Sequence, residues 1–86
     1  MSSNLGAPQN YEAALGSSYS FNRPLRNGMR PDAIDWVNNI VRELKPYTPS
    51  GIRAGRRQIN AYVRQLEAQT GHRWTGRVDY YTPPSK

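Results

Sequence analysis

The 86-residue chain carries twelve Lys and Arg against six Asp and Glu, a formal charge of +6, with 36% hydrophobic and 10% aromatic residues. That length allows one domain, burying only about 60 to 70% of its unfolded surface, so its core is thin and a bound metal or partner would help hold it. The absence of cysteine excludes disulfides and thiolate zinc sites, the single His72 removes histidine-pair metal centres and argues against a Ser-His-Asp triad, and no apolar run approaches the roughly 20 residues of a membrane span.

Eleven of the twelve basic residues lie between Arg23 and Arg77, and arginine predominates among them. A guanidinium fork binds phosphate through two bonds, so a polyanion is expected as target and nucleic acid is favoured over a membrane surface. The first residues lack the charged start and apolar stretch of a signal peptide.

Residues 1–8, MSSNLGAP, are small, polar and turn-prone and read as a flexible lead or the remnant of a linker to a parent polypeptide upstream. Tyr11, Ala14 and Leu15 then recur at helical spacing and Gly16 stops them, which predicts a short N-terminal helix. Tyr19 and Phe21 alternate with serines as in a short strand, and Asn27-Gly28 marks a turn.

RPDAIDWVNNIVRELK, residues 30–45, admits two readings. As a helix, Ile34, Val37, Val41 and Leu44 would form its apolar side and the charges a solvated face. As a hairpin spanning about 29–46, Asn38-Asn39 would supply the left-handed residues of a two-residue turn, flanked by Ile34, Trp36, Val37, Ile40 and Val41. Asn-Asn is costly in mid-helix and Lys45 before Pro46 is pushed to extended geometry, so the hairpin is preferred.

Residues 51–70 carry the clearest helical period, with Ile52, Ile59, Tyr62, Val63 and Leu66 on one side, Ser50 as cap and Gly71 as stop. Trp74, Val78, Tyr80 and Tyr81 predict a final strand over about 74–82, ended by Pro83 and Pro84, with 83–86 as a tail. Trp36, Trp74 and Tyr80 are expected in the core, and His72 in a surface loop.

In the hairpin, period two puts Glu43 and Lys45 on one face, with Asp32 across from them on the paired strand. Two carboxylates can hold a hard cation through oxygen while leaving it water ligands, and a lysine beside them can orient the attacking water and offset charge on a phosphodiester. Asp35 has the opposite parity to Asp32 and is a reserve ligand that a bulge could bring in. The plainer alternatives are a turn or cap for Asp32 and an exposed ion pair for Glu43 and Lys45.

Pro31-Asp32 followed by Glu43-Leu44-Lys45 resembles the PD-(D/E)XK signature of restriction-endonuclease-like nucleases, and Gln58-Ile59-Asn60-Ala61-Tyr62 is similar to the Q-x-x-x-Y element of several of their branches. More narrowly, GMRPDAID, VRELKPYTPSGIRAG, QINAYVRQLE and WTGRVDYY, covering roughly 9–82, resemble the C-terminal nuclease toxin domains of bacterial polymorphic toxins and secreted effectors. The resemblance implies an α/β fold, a minimal restriction-endonuclease-like core in one domain over 9–82, acting as a Mg2+-dependent (or Mn2+-dependent) DNase.

On the same resemblance, Asp32 and Glu43 would bind the metal, Lys45 would position the water, Gln58 would support it, and Tyr62 would pack beneath Gln58. Glu12 stands where some members place an extra acid. Arg30, Arg53, Arg56 and Arg57 are the candidate DNA contacts. The role implied is an antibacterial toxin, delivered into the cytoplasm of a target cell and held inactive in the producer's cytoplasm by an acidic immunity protein. The rival is a non-catalytic basic helical module for nucleic acid or virion assembly, which needs residues 32–44 helical.

Overall fold

Pro8, a residue suited to a helix's first turn, opens helix α1 (Pro8–Leu15), and Gly16 closes it with a positive φ of 89°. The structure, a computed structural model, describes residues 8–84. The expected lead therefore lies outside the described residues except for Pro8, which belongs to α1.

Strands β1 (Ser20–Phe21), β2 (Ala33–Asp35), β3 (Ile40–Pro46) and β4 (Thr75–Tyr81) form one sheet in that order. The first two pairings are antiparallel, while β4 runs parallel to β3 and is reached through helix α2 (Pro49–Thr70). Between β1 and β2, Leu25 and Met29 close the expected Asn27-Gly28 turn, with the Gly28 N–H donating to the Leu25 carbonyl at 2.9 Å. Residues 33–46 are thus strands and a turn, which overturns the helical alternative and the non-catalytic module that required it.

The turn itself differs from the expected Asn38-Asn39 pair. Asp35 pairs with Ile40 across a four-residue loop, Trp36 to Asn39, in which Asn39 alone is left-handed at φ 59°. The cause is the Asp35 carboxylate, which accepts the Val37 and Asn38 backbone N–H groups at 3.0 Å each and the Asn38 side-chain amide at 2.9 Å. Those bonds stabilise a local turn where ladder bonds would have continued the strands. Trp36 and Val37 are consequently displaced from the sheet, at 42% and 88% exposure, so Trp36 is not the core residue expected. It keeps one edge-on contact with buried Trp74, ring centroids 5.5 Å apart.

The cap of α2 is Thr48, not Ser50. Its hydroxyl accepts the Gly51 N–H at 3.0 Å, and Pro49 supplies a first helical residue whose φ is already set. Gly71 ends the helix in left-handed geometry, as expected. Leu25, Ile34, Val41, Ile59, Tyr62, Leu66 and Trp74 make the core between α2 and one face of the sheet. Each large aliphatic so buried contributes about 1.5 to 3 kcal/mol.

Gly51 and Gly55 occupy the helix face toward the sheet that Ile52 was expected to fill, and Ile52 is only half-buried. A Cβ on Gly55 would lie 2.8 Å from Val78 Cγ1, and one on Gly51 would collide with the Pro46 carbonyl. The helix therefore docks closely because these positions carry no side chain. Gly51→Ala is expected to lower stability by about 1 to 3 kcal/mol despite alanine's higher helix propensity, since the colliding atom is backbone. A thermal melt reads this as a drop of at least about 5 °C, and an unchanged or raised Tm contradicts the tight docking.

Candidate active site

Pro31 and Asp32 end the β2 side of the hairpin early. Proline has no N–H for the ladder, so β2 begins at Ala33, paired with Arg42, while β3 runs on to Pro46. The Asp32 side chain takes the place of the missing strand: its Oδ2 accepts the Leu44 N–H at 2.8 Å, and its own N–H donates to Glu43 Oε1 at 3.0 Å. Truncating β2 thereby leaves a cleft beside β3 and pins two carboxylates at its wall.

Glu43 and Lys45 share one face of β3, as period two requires. Lys45 Nζ lies 3.7 Å from Glu43 Oε2, and the Tyr62 hydroxyl of α2 donates to the Glu43 carboxylate. Burial pushes the Glu43 carboxyl up to about 7, with the nearby Asp32 charge adding to the shift against the Asp32 N–H bond, the Lys45 charge and the Tyr62 hydroxyl. Burial and the same two acids push Tyr62 up to about 12, so it remains a hydroxyl donor.

The cleft encloses about 260 Å³ and is lined by Glu12, Asn22, Asp32, Glu43, Lys45 and Tyr81, among others. Glu12, from α1, thus joins Asp32, Glu43 and Lys45 at one opening. Gln58 does not line the cleft; it is half-buried on α2, and Tyr62, one turn on, makes the contact with Glu43. Asp35 is outside the cleft, with its oxygens engaged in the turn at the far end of β2, and those bonds, led by the Asn38 side chain, hold its carboxyl below the usual range.

Arg30 is exposed and donates to the Asn22 carbonyl at 2.9 Å, bracing the exit from β1. Arg53, Arg56 and Arg57 are exposed on the first half of α2. Among the described residues, no group of three or more His, Asp or Glu is clustered so as to hold a metal. Of the carboxylates at the cleft, those of Asp32 and Glu43 adjoin one another, and their hard oxygens suit a cation that retains several waters.

One polar cluster was missed by sequence reasoning. On the opposite face of the sheet, Arg42 holds Asp79 through two bonds of 2.9 Å each, Tyr11 of α1 donates to the same carboxylate at 2.5 Å, and Arg42 donates to the Tyr19 hydroxyl at 3.2 Å. Alternation along Arg42-Glu43-Leu44-Lys45 predicts that Arg42 faces away from the site. Its partner depends on the parallel β3–β4 register, which puts Leu44 beside Asp79 and leaves no local sequence signal.

A family model described as restriction endonuclease fold toxin 9 matches residues 6–81. No curated protein and no solved structure matches the chain.

Proposed function

The chain belongs to the restriction endonuclease fold toxin family, and from that premise we propose that it hydrolyses DNA with a divalent cation, magnesium or manganese, held by Asp32 and Glu43. The observation that carries this is the pair of adjoining acids in one cleft, the more buried of which, Glu43, has its carboxyl pushed up to about 7 by burial and the Asp32 charge even with Lys45 3.7 Å away. A divalent cation between such groups relieves both the desolvation and the repulsion. When bound, it would supply an acidified water and polarise the phosphoryl oxygen.

The chain's own side chains do the rest. Lys45, on the cleft wall, positions the attacking water and offsets the charge that develops on the phosphate. Asp32 is held in place by the Leu44 N–H, and Tyr62 fixes the orientation of Glu43, taking the supporting part expected of Gln58. Glu12 approaches the same cleft from α1 and is positioned to order water there. Arg53, Arg56 and Arg57 would meet phosphates flanking the cleavage site.

The biological role that fits is an antibacterial toxin domain delivered into target cells and restrained in its producer by an acidic immunity protein. A net charge of +6 favours such a partner by steering its approach. No helix among the described residues is long and apolar enough to cross a membrane.

Plasmid cleavage tests the reading. The wild type is expected to nick or degrade plasmid with magnesium or manganese and not with EDTA, and Lys45→Ala to lose at least about 100-fold of that rate. If the wild type cuts no plasmid, single-stranded DNA or RNA under any of these conditions, the nuclease reading is wrong.

A further inference from the structure

Tyr47 and Tyr80 form an exposed aromatic pair directly beside Lys45. Tyr80 is Lys45's register partner on β4, and Tyr47 follows Pro46 at the end of β3. Their ring centroids are 5.5 Å apart with planes inclined at 60°, and they remain 64% and 38% exposed respectively. Tyr80 is therefore not the core residue its composition suggested. The pair is nevertheless anchored: the Tyr47 N–H donates to the Tyr81 carbonyl at 2.8 Å, and the next residue, Thr48, caps α2.

A domain with so thin a core gains little stability by leaving two large rings at its surface. Solvent-facing rings at the lysine end of this cleft have one chemical use that exposed aliphatic groups lack, which is to stack on nucleobases. The charge around them suits that ligand: Lys45 lies beside Tyr80, and Arg53 is exposed on the first turns of the helix that Tyr47 leads into. In a duplex each base face is covered by its neighbours, so a tyrosine platform can engage only a base that is unpaired and unstacked.

We propose that Tyr47 and Tyr80 are a stacking site for an unpaired DNA base, so that the cleft takes single-stranded DNA in preference to intact duplex. The proposal rests on the nuclease reading for the placement of the scissile phosphate near Lys45, but base stacking can be measured apart from cleavage. Neither ring lines the cleft, so removing one leaves Asp32, Glu43 and Lys45 in place.

The experiment is fluorescence anisotropy in EDTA, which prevents metal-dependent cutting, with fluorescein-labelled oligo-dT, the same length of abasic strand, and a duplex. Wild-type protein is expected to bind oligo-dT more tightly than the abasic strand. Tyr47→Ala should weaken oligo-dT binding about tenfold, Tyr47→Phe should retain it, and abasic and duplex affinities should stay constant across the series. Circular dichroism of each variant confirms the fold. Equal affinity of wild type and Tyr47→Ala for oligo-dT, or an equal loss on all three probes, overturns the stacking site. Stacking that persists in a protein that cuts nothing with metal refutes the nuclease reading and leaves the site standing.

Discussion

Glu43→Gln is expected to abolish metal-dependent cleavage and, in the same protein, to raise stability in EDTA at pH 8. The two effects have one cause. The Glu43 carboxyl is pushed from its ordinary 4.5 up to about 7 in the folded chain, first by burial and then by the charge of Asp32. Between those values the folded state holds a proton that the unfolded state has released, so unfolding becomes easier as pH rises. The contribution is fully present below about pH 4.5 and is lost through pH 7, a change of about 3 kcal/mol. Glutamine keeps the shape and can still accept the Asp32 N–H, but it never ionises.

Urea unfolding in EDTA at pH 5 and pH 8 measures this directly. The wild type should lose about 2 to 3 kcal/mol more than the variant across that interval, and parallel losses would show that Glu43 is not the strained acid described. Adding magnesium at pH 8 should reverse the wild-type loss, by about 2.7 kcal/mol at a hundredfold excess over Kd, and leave the variant unmoved. On the proposed reading, such a result would mean that the site trades stability of the metal-free domain for a carboxylate ready to receive a cation.

Asp79→Ala is expected to have the largest effect on folding, a loss of about 2 to 4 kcal/mol from a domain of modest stability. Asp79 accepts two bonds from Arg42 and one from Tyr11, so its removal strands a guanidinium that is only about a fifth exposed and unfastens α1 from the sheet. Arg42→Met with Asp79→Leu should recover part of the loss, because apolar replacement of both partners leaves no unpaired charge. A loss below about 1 kcal/mol for Asp79→Ala would mean that the network is a surface ion pair only. In the intact protein burial raises the Asp79 carboxyl, but the bonds from Arg42 and Tyr11 outweigh it and hold the group below its usual range. Its contribution is present above the ordinary carboxylate pKa and lost as pH falls further, the opposite sign to Glu43, so metal-free protein should be most stable in mildly acid solution.

Much of this was legible along the chain. Period two in Glu43-Leu44-Lys45, the proline-aspartate pair before the hairpin, and the helical period ended by Gly71 each depend on near neighbours, so residue type and spacing sufficed to order the elements. Asn38-Asn39 predicts a turn that begins two residues later than the one observed, because the Asp35 carboxylate, which closes it, competes with that pair only when its three bonds form together. Glycine is a poor helix former, so Gly51 and Gly55 carry no favourable signal in the sequence, and their value lies in the backbone and side chains that they let approach.

The sequence by itself determined that this is a small basic α/β domain, that Glu43 and Lys45 share a face, and that an acid precedes the hairpin. Local backbone preferences and side-chain alternation decide such matters within a few residues. Only the tertiary structure decided that Tyr62 secures Glu43, that Arg42 and Asp79 lock α1 to the sheet, and that Tyr47 and Tyr80 remain outside the core. Those relations follow from the parallel β3–β4 register and the closeness of α2, which join residues far apart in the chain and are set by packing the whole domain at once.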